Sequence, residues 1–124
     1  MRDIATREDL FFLMRAFYTK LFADKEIGYI FTDLAKIDLE EHLPSLTDFW
    51  ENMLIAPNGY QKNVMEIHFN LNKKEKLLPI HFQKWMQLFS DTIDENYKGE
   101  KAEDMKSRAH SIAGVMQFKL ENIK

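Results

Sequence analysis

Four histidines, His42, His68, His81 and His110, are the side chains of this 124-residue sequence best suited to holding a metal or moving a proton. They are too scattered for a compact zinc motif. The absence of cysteine excludes disulfides, thiolate zinc sites, iron–sulfur ligation and cysteine nucleophiles. No Gly-rich phosphate loop, His-Glu-x-x-His pair or G-x-S-x-G elbow occurs, so several enzyme classes lack their usual handles. The carboxylates fall mostly in mixed-charge stretches that read as solvated helix faces. His68 stands apart, because it lies amid Val64, Met65, Ile67, Phe69 and Leu71. It belongs to residues 60–78, a stretch without convincing helical period between strongly periodic neighbours. Long connections of this kind are uncommon in compact domains and are usually functional or disordered, and so many apolar residues fit disorder poorly. The expectation is an irregular loop held down by something it packs against.

Four helices are expected to position these groups. In the first, Thr6 and Asp9 can form a capping box, and Leu10, Phe11, Met14, Phe17, Tyr18, Leu21 and Phe22 follow as a helical stripe. Asp24 to Gly28 stops it, and Tyr29-Ile30-Phe31 returns apolar residues to the core. The second is expected to begin near His42-Leu43-Pro44, with proline in the first turn, where its missing N–H costs nothing. His42, Leu46, Phe49 and Met53 then share a face, and Pro57-Asn58-Gly59 ends the helix. The third starts near Pro79 and carries Phe82, Trp85, Met86, Phe89 and Ile93. Gly99 breaks it, and the fourth, from about Lys101, aligns Met105, Ala109, Ile112, Ala113 and Met116.

Composition agrees with an all-α chain. Ten Phe, seven Met, four Tyr and two Trp stand beside only four Gly and three Pro, which implies long helices around a bulky aromatic interior. The length suits one domain spanning residues 1–124. Residues 1–62 carry 7 basic and 11 acidic groups and residues 63–124 carry 10 and 9, too even a split for a nucleic-acid-binding surface. No apolar run approaches the roughly 18–20 residues of a membrane helix. Met1-Arg2-Asp3-Ile4-Ala5 has no apolar signal core, so neither membrane nor nucleic acid is expected as a partner and a cytoplasmic location is the simplest reading.

An imidazole facing a large apolar space would suit a haem, whose iron takes one protein nitrogen on a side and whose macrocycle needs an apolar slot. From the residues alone, a loop histidine satisfied by solvent is the plainer reading. The wider pattern resembles a known family. Leu13-Met14-Arg15-Ala16-Phe17-Tyr18, Ile30-Phe31, and His42-Leu43-Pro44-Ser45-Leu46-Thr47-Asp48-Phe49-Trp50 look like the truncated haemoglobins of group III. So do Ile67-His68-Phe69-Asn70-Leu71, the run from His81 to Phe89, and Arg108-Ala109 with Ile112-Ala113, all in order and at family-like spacing. The Gly-Gly pairs of groups I and II are absent. The resemblance implies a truncated globin fold, a two-over-two helical sandwich of B/E and G/H pairs around haem b (iron protoporphyrin IX).

Carried over by position, the resemblance makes His68 the proximal iron ligand and Tyr18, His42 and Trp85 the residues facing the ligand on the distal side. A core tyrosine and a core tryptophan are the plainer readings of Tyr18 and Trp85, and for Trp85 the two do not exclude each other. His42 could touch the ligand, swing as a gate or stand at the solvent edge. Phe31 would wedge the macrocycle, and Leu46 and Phe49, with Phe17, Met65, Leu71 and Phe89, would line the haem pocket. Ser45 stands where family members often carry Lys or Arg able to pair with a haem propionate, so no basic residue is assigned to that task. His81 and His110 are expected at the surface. The implied function is reversible binding of dioxygen or another diatomic ligand. Two alternatives stay open: a haem-dependent redox enzyme, oxidising nitric oxide or turning over peroxide with a separate reductase, and a haem-free helical interaction module.

Overall fold

A computed structural model of the chain describes residues 1–34, 38–56 and 78–121, with side chains for all of these but 33–34 and 119–121. Among the described residues there are four α-helices and no strand. Helix α1 spans Arg7–Ala23, α2 Leu39–Leu54, α3 Pro79–Asn96 and α4 Glu100–Glu121, and a single π-helical turn covers Ile30–Leu34. The expected loop around His68, and the expected helix stop at Pro57-Asn58-Gly59, lie outside the described residues.

Helix α1 begins as its residues require. The Thr6 hydroxyl accepts from the Asp9 N–H at 3.3 Å, and the Asp9 carboxylate accepts in return from the Thr6 N–H at 3.0 Å. Leu10, Leu13, Met14, Phe17, Tyr18 and Leu21 are all buried, the i, i+3, i+4, i+7 stripe of a helix that turns one face to the core. Asp24 then folds the chain back, its carboxylate accepting from the N–H groups of Glu26 at 2.8 Å and Ile27 at 3.1 Å. Gly28 is required next, because a Cβ there would lie 2.6 Å from the Phe22 carbonyl oxygen.

Helix α2 corrects the expected start. It begins one turn before His42, capped by Asp38, whose carboxylate accepts from the Glu41 N–H at 3.3 Å. Glu40 and Glu41 occupy its first turn, where the helix dipole favours negative charge. Pro44 therefore sits in the second turn, and the Glu40 carbonyl loses the bond that a non-proline residue would make. That carbonyl belongs to an exposed residue, so water can replace the bond.

Helix α3 carries Pro79 at its first position, as expected. Gly99 separates it from α4 with φ +147°, a conformation that side-chain-bearing residues rarely adopt. The first-turn N–H groups of α4 are satisfied from the far end of the chain. Asp3 accepts from Lys101 and Ala102, each at 2.9 Å, while the Lys98 N–H donates to the Arg2 carbonyl at 3.0 Å. The buried Asp9 carboxylate completes this corner by accepting from Arg2, the Ala5 N–H and, at 3.1 Å, the Tyr97 hydroxyl. Residues 1–6 thus tie α1 to the α3–α4 junction.

Packing pairs α1 with α2 and α3 with α4, and α1 also lies against α3. The result is the two-over-two arrangement that the resemblance implies. Phe17 sits at its centre, fully buried, with its ring edge-on to Tyr18, Trp85 and Phe89 at centroid distances of 5.2, 5.2 and 5.1 Å.

Candidate functional site

The helix pairs leave a cleft of about 820 Å³, counting its open mouth, between their inner faces. Helix α1 contributes Tyr18, the segment after it Ile27, Ile30 and Phe31, and α2 contributes Leu46, Phe49 and Trp50. From α3 come His81, Phe82 and Trp85, and from α4 Ala109, Ile112, Ala113 and Met116. Each set follows from helical period: residues 81, 82 and 85, or 109, 112, 113 and 116, recur every three or four positions and share a face. Phe31 reaches the cleft from the π-helical turn. The walls are almost wholly hydrocarbon, and few of the lining residues carry a polar side-chain group: Tyr18, Trp50, Trp85 and His81.

Tyr18 is the most informative of them. It is 7% exposed, and burial alone pushes its phenol well above the ordinary range, so it remains a neutral O–H donor. Its hydroxyl makes no hydrogen bond among the described residues. Yet none of their side-chain N or O atoms is both sealed from open space and unpaired. The hydroxyl therefore opens on the cleft. Its ring is fixed edge-on by Phe17, by Phe22 at 5.9 Å and by His42 at 5.9 Å.

Trp85 is held as firmly, stacked on Phe89 at 5.0 Å with 14° between planes and crossed by Phe17. It lines the cleft, and its indole N–H can only donate. Phe31, Leu46 and Phe49 also line the cleft. Phe17 and Phe89 lie behind the wall instead, as the buried aromatic layer on which Tyr18 and Trp85 rest. His42 is half-buried and touches the Tyr18 ring without being part of the wall. His68, Met65 and Leu71 lie outside the described residues.

His110 is exposed, as expected. His81, expected at the surface, is instead half-buried in the cleft wall. Its spacing held the signal, because residue 81 precedes Trp85 by four and shares its helix face. Trp50, Phe82, Ile27, Ile30 and the α4 stripe were legible as apolar but not as cleft residues, since that depends on which helices face one another. Among the described residues, no three His, Cys, Asp or Glu side chains group as a metal site.

No family model matches the chain. It is similar to the group 3 truncated hemoglobin ctb of Campylobacter jejuni, 27% identical over 118 residues that cover 93% of this chain and 91% of that protein. The fold is similar to the crystal structure of a group III truncated hemoglobin from Campylobacter jejuni, with a TM-score of 0.83, 27% identity, and coverage of 97% of this chain and 95% of that one. In sequence and in fold, then, the chain is similar to the group III truncated haemoglobins.

Proposed function

We propose that the chain binds haem b in the cleft and there reversibly binds dioxygen or another diatomic ligand. The observation that carries this reading is an apolar cleft lined by a buried, neutral tyrosine whose hydroxyl has no hydrogen-bond partner among the described residues. The donor set fits the group. Aromatic and aliphatic walls suit a macrocycle, and two non-ligating donors, Tyr18 and Trp85, leave one face of its iron to a small ligand. By resemblance, His68 would supply the single protein nitrogen on the other face. Haem bound there would supply an iron at which a diatomic ligand coordinates reversibly.

The chain's own contribution is polarity and exclusion of water. The Tyr18 O–H and Trp85 N–H would donate to a small acceptor held beside them, and the apolar wall would keep water from competing. At about 1.4 kcal/mol for each donor, every hydrogen bond would slow release roughly tenfold. Two such donors favour retention of ligand, and so scavenging, sensing or redox chemistry over bulk transport.

The test is spectral. The purified protein should be red with an intense Soret band, and His68→Ala should lose tight haem binding and regain it with added imidazole. His110→Ala should bind normally. A protein left colourless after reconstitution, or equal haem retention in both variants, refutes the proposal.

A further inference from the structure

His81 is the one imidazole in the described wall of the cleft, and its surroundings give it a defined orientation. It occupies the first turn of α3, and its Nδ1 accepts the Leu78 N–H at 3.0 Å. Accepting at Nδ1 places the proton of the neutral ring on Nε2, which leaves Nε2–H as the ring's donor. The ring lies toward the open side, flanked by the exposed Leu78 and Ile80, whereas Tyr18, Ile27 and Ile30 form the buried end. No Lys or Arg is among the described residues of the wall. Arg7 is paired with Asp48 and Glu51, Arg15 with Glu40, and Lys84 with Asp24. Ser45 offers no cation from α2 either.

A haem combines an apolar plate with two carboxylates that stay near water. A slot with apolar depths and one preset N–H donor near its mouth matches that polarity. We propose that His81 anchors a haem carboxylate at the mouth of the cleft through Nε2–H, while Nδ1 holds the start of α3. The assignment rests on the haem reading and adds to it the partner of a propionate. The first-turn N–H groups of α3 reinforce it by adding positive potential on the same side.

The experiment follows haem transfer from the purified holoprotein to excess apomyoglobin by the Soret band, with wild type, His81→Glu and His81→Leu. Each is loaded either with haem or with its dimethyl ester, which keeps the plate and removes both charges. His81→Glu keeps an acceptor for the Leu78 N–H, the usual role of Glu at the third helical position, so it preserves the cap while opposing a carboxylate. Both variants should lose haem about tenfold faster than wild type, the scale of a lost charge-assisted hydrogen bond. All three should lose the diester at one rate. Equal haem loss in all three overturns the assignment, as does an acceleration that persists undiminished with the diester, which would mark a merely structural role. A change of iron spin state in His81→Leu also overturns it, because His81 would then be an iron ligand. A wild-type protein that takes up neither porphyrin overturns the haem reading and this assignment together, whereas the other results overturn the assignment alone.

Discussion

Two tyrosines of this chain are buried almost equally, Tyr18 at 7% and Tyr97 at 8% exposure, yet the same substitution should affect them in opposite ways. The Tyr97 hydroxyl donates to the Asp9 carboxylate at 3.1 Å, and the Arg2 guanidinium lies over its ring at 5.4 Å. Tyr97→Phe keeps the ring and the cation above it but removes one donor from a buried anion. A hydrogen bond to a charged group contributes about 1.5–3 kcal/mol. Arg2 and two backbone N–H groups remain on Asp9, so a loss of about 1.5–2 kcal/mol is expected, or about 5–10 °C in Tm for a chain of this size. Tyr18→Phe breaks no hydrogen bond among the described residues and keeps the ring contacts to Phe17, Phe22 and His42, so stability should change by less than about 0.5 kcal/mol. Its cost should appear instead in ligand retention, with dissociation about tenfold faster. Urea denaturation at equal haem occupancy reads the first quantity, and stopped-flow dissociation of dioxygen reads the second. If Tyr18→Phe destabilises as much as Tyr97→Phe, or if both release ligand at the wild-type rate, Tyr18 is a packing residue.

Three further outcomes are expected. His42→Ala should raise the ligand association rate several-fold if the ring edge-on to Tyr18 acts as a gate; unchanged association with faster dissociation would make it a direct hydrogen-bonding partner. Gly99→Ala should cost about 1–3 kcal/mol, because φ is +147° and the added Cβ would lie 2.5 Å from Asp3 Cγ, whereas Gly114→Ala, with open space around it in α4, should stabilise by about 0.5–1 kcal/mol; equal urea midpoints for the two variants would refute the contrast. The Arg2 guanidinium, with the Ala5 and Thr6 N–H groups and Tyr97, holds Asp9 well below the usual carboxylate range. A depressed folded value stabilises above the unfolded value near ~3.9 and is lost as pH falls through the folded one, so urea midpoints should drop below about pH 4. Asp9→Asn should flatten that acid limb, and an unaltered slope would refute the linkage.

The sequence by itself determined the helices and their inward faces, because caps and stripes are local. Thr6 and Asp9 lie three residues apart, Pro79 needs only a first turn, and the buried stripe of α1 recurs within its own 17 residues. It also carried, by resemblance, the residue types of a haem pocket, and Tyr18, Phe31, Leu46, Phe49 and Trp85 do share one cleft. The start of α2 was missed because the signal at Asp38 is a single side chain, and Pro44 advertised a first turn that it does not occupy. Tertiary structure alone decided the rest. Asp3 caps a helix 98 residues away, Asp9 meets Tyr97 across 88, and Phe17 rather than the cleft claims the centre of the aromatic layer. His81 became a wall residue only when α3 was set against α1 and α4. A helical stripe says which side of a helix avoids water. Whether that side meets another helix or borders an open cleft depends on where residues distant in the chain place their own bulk, and no local period records that.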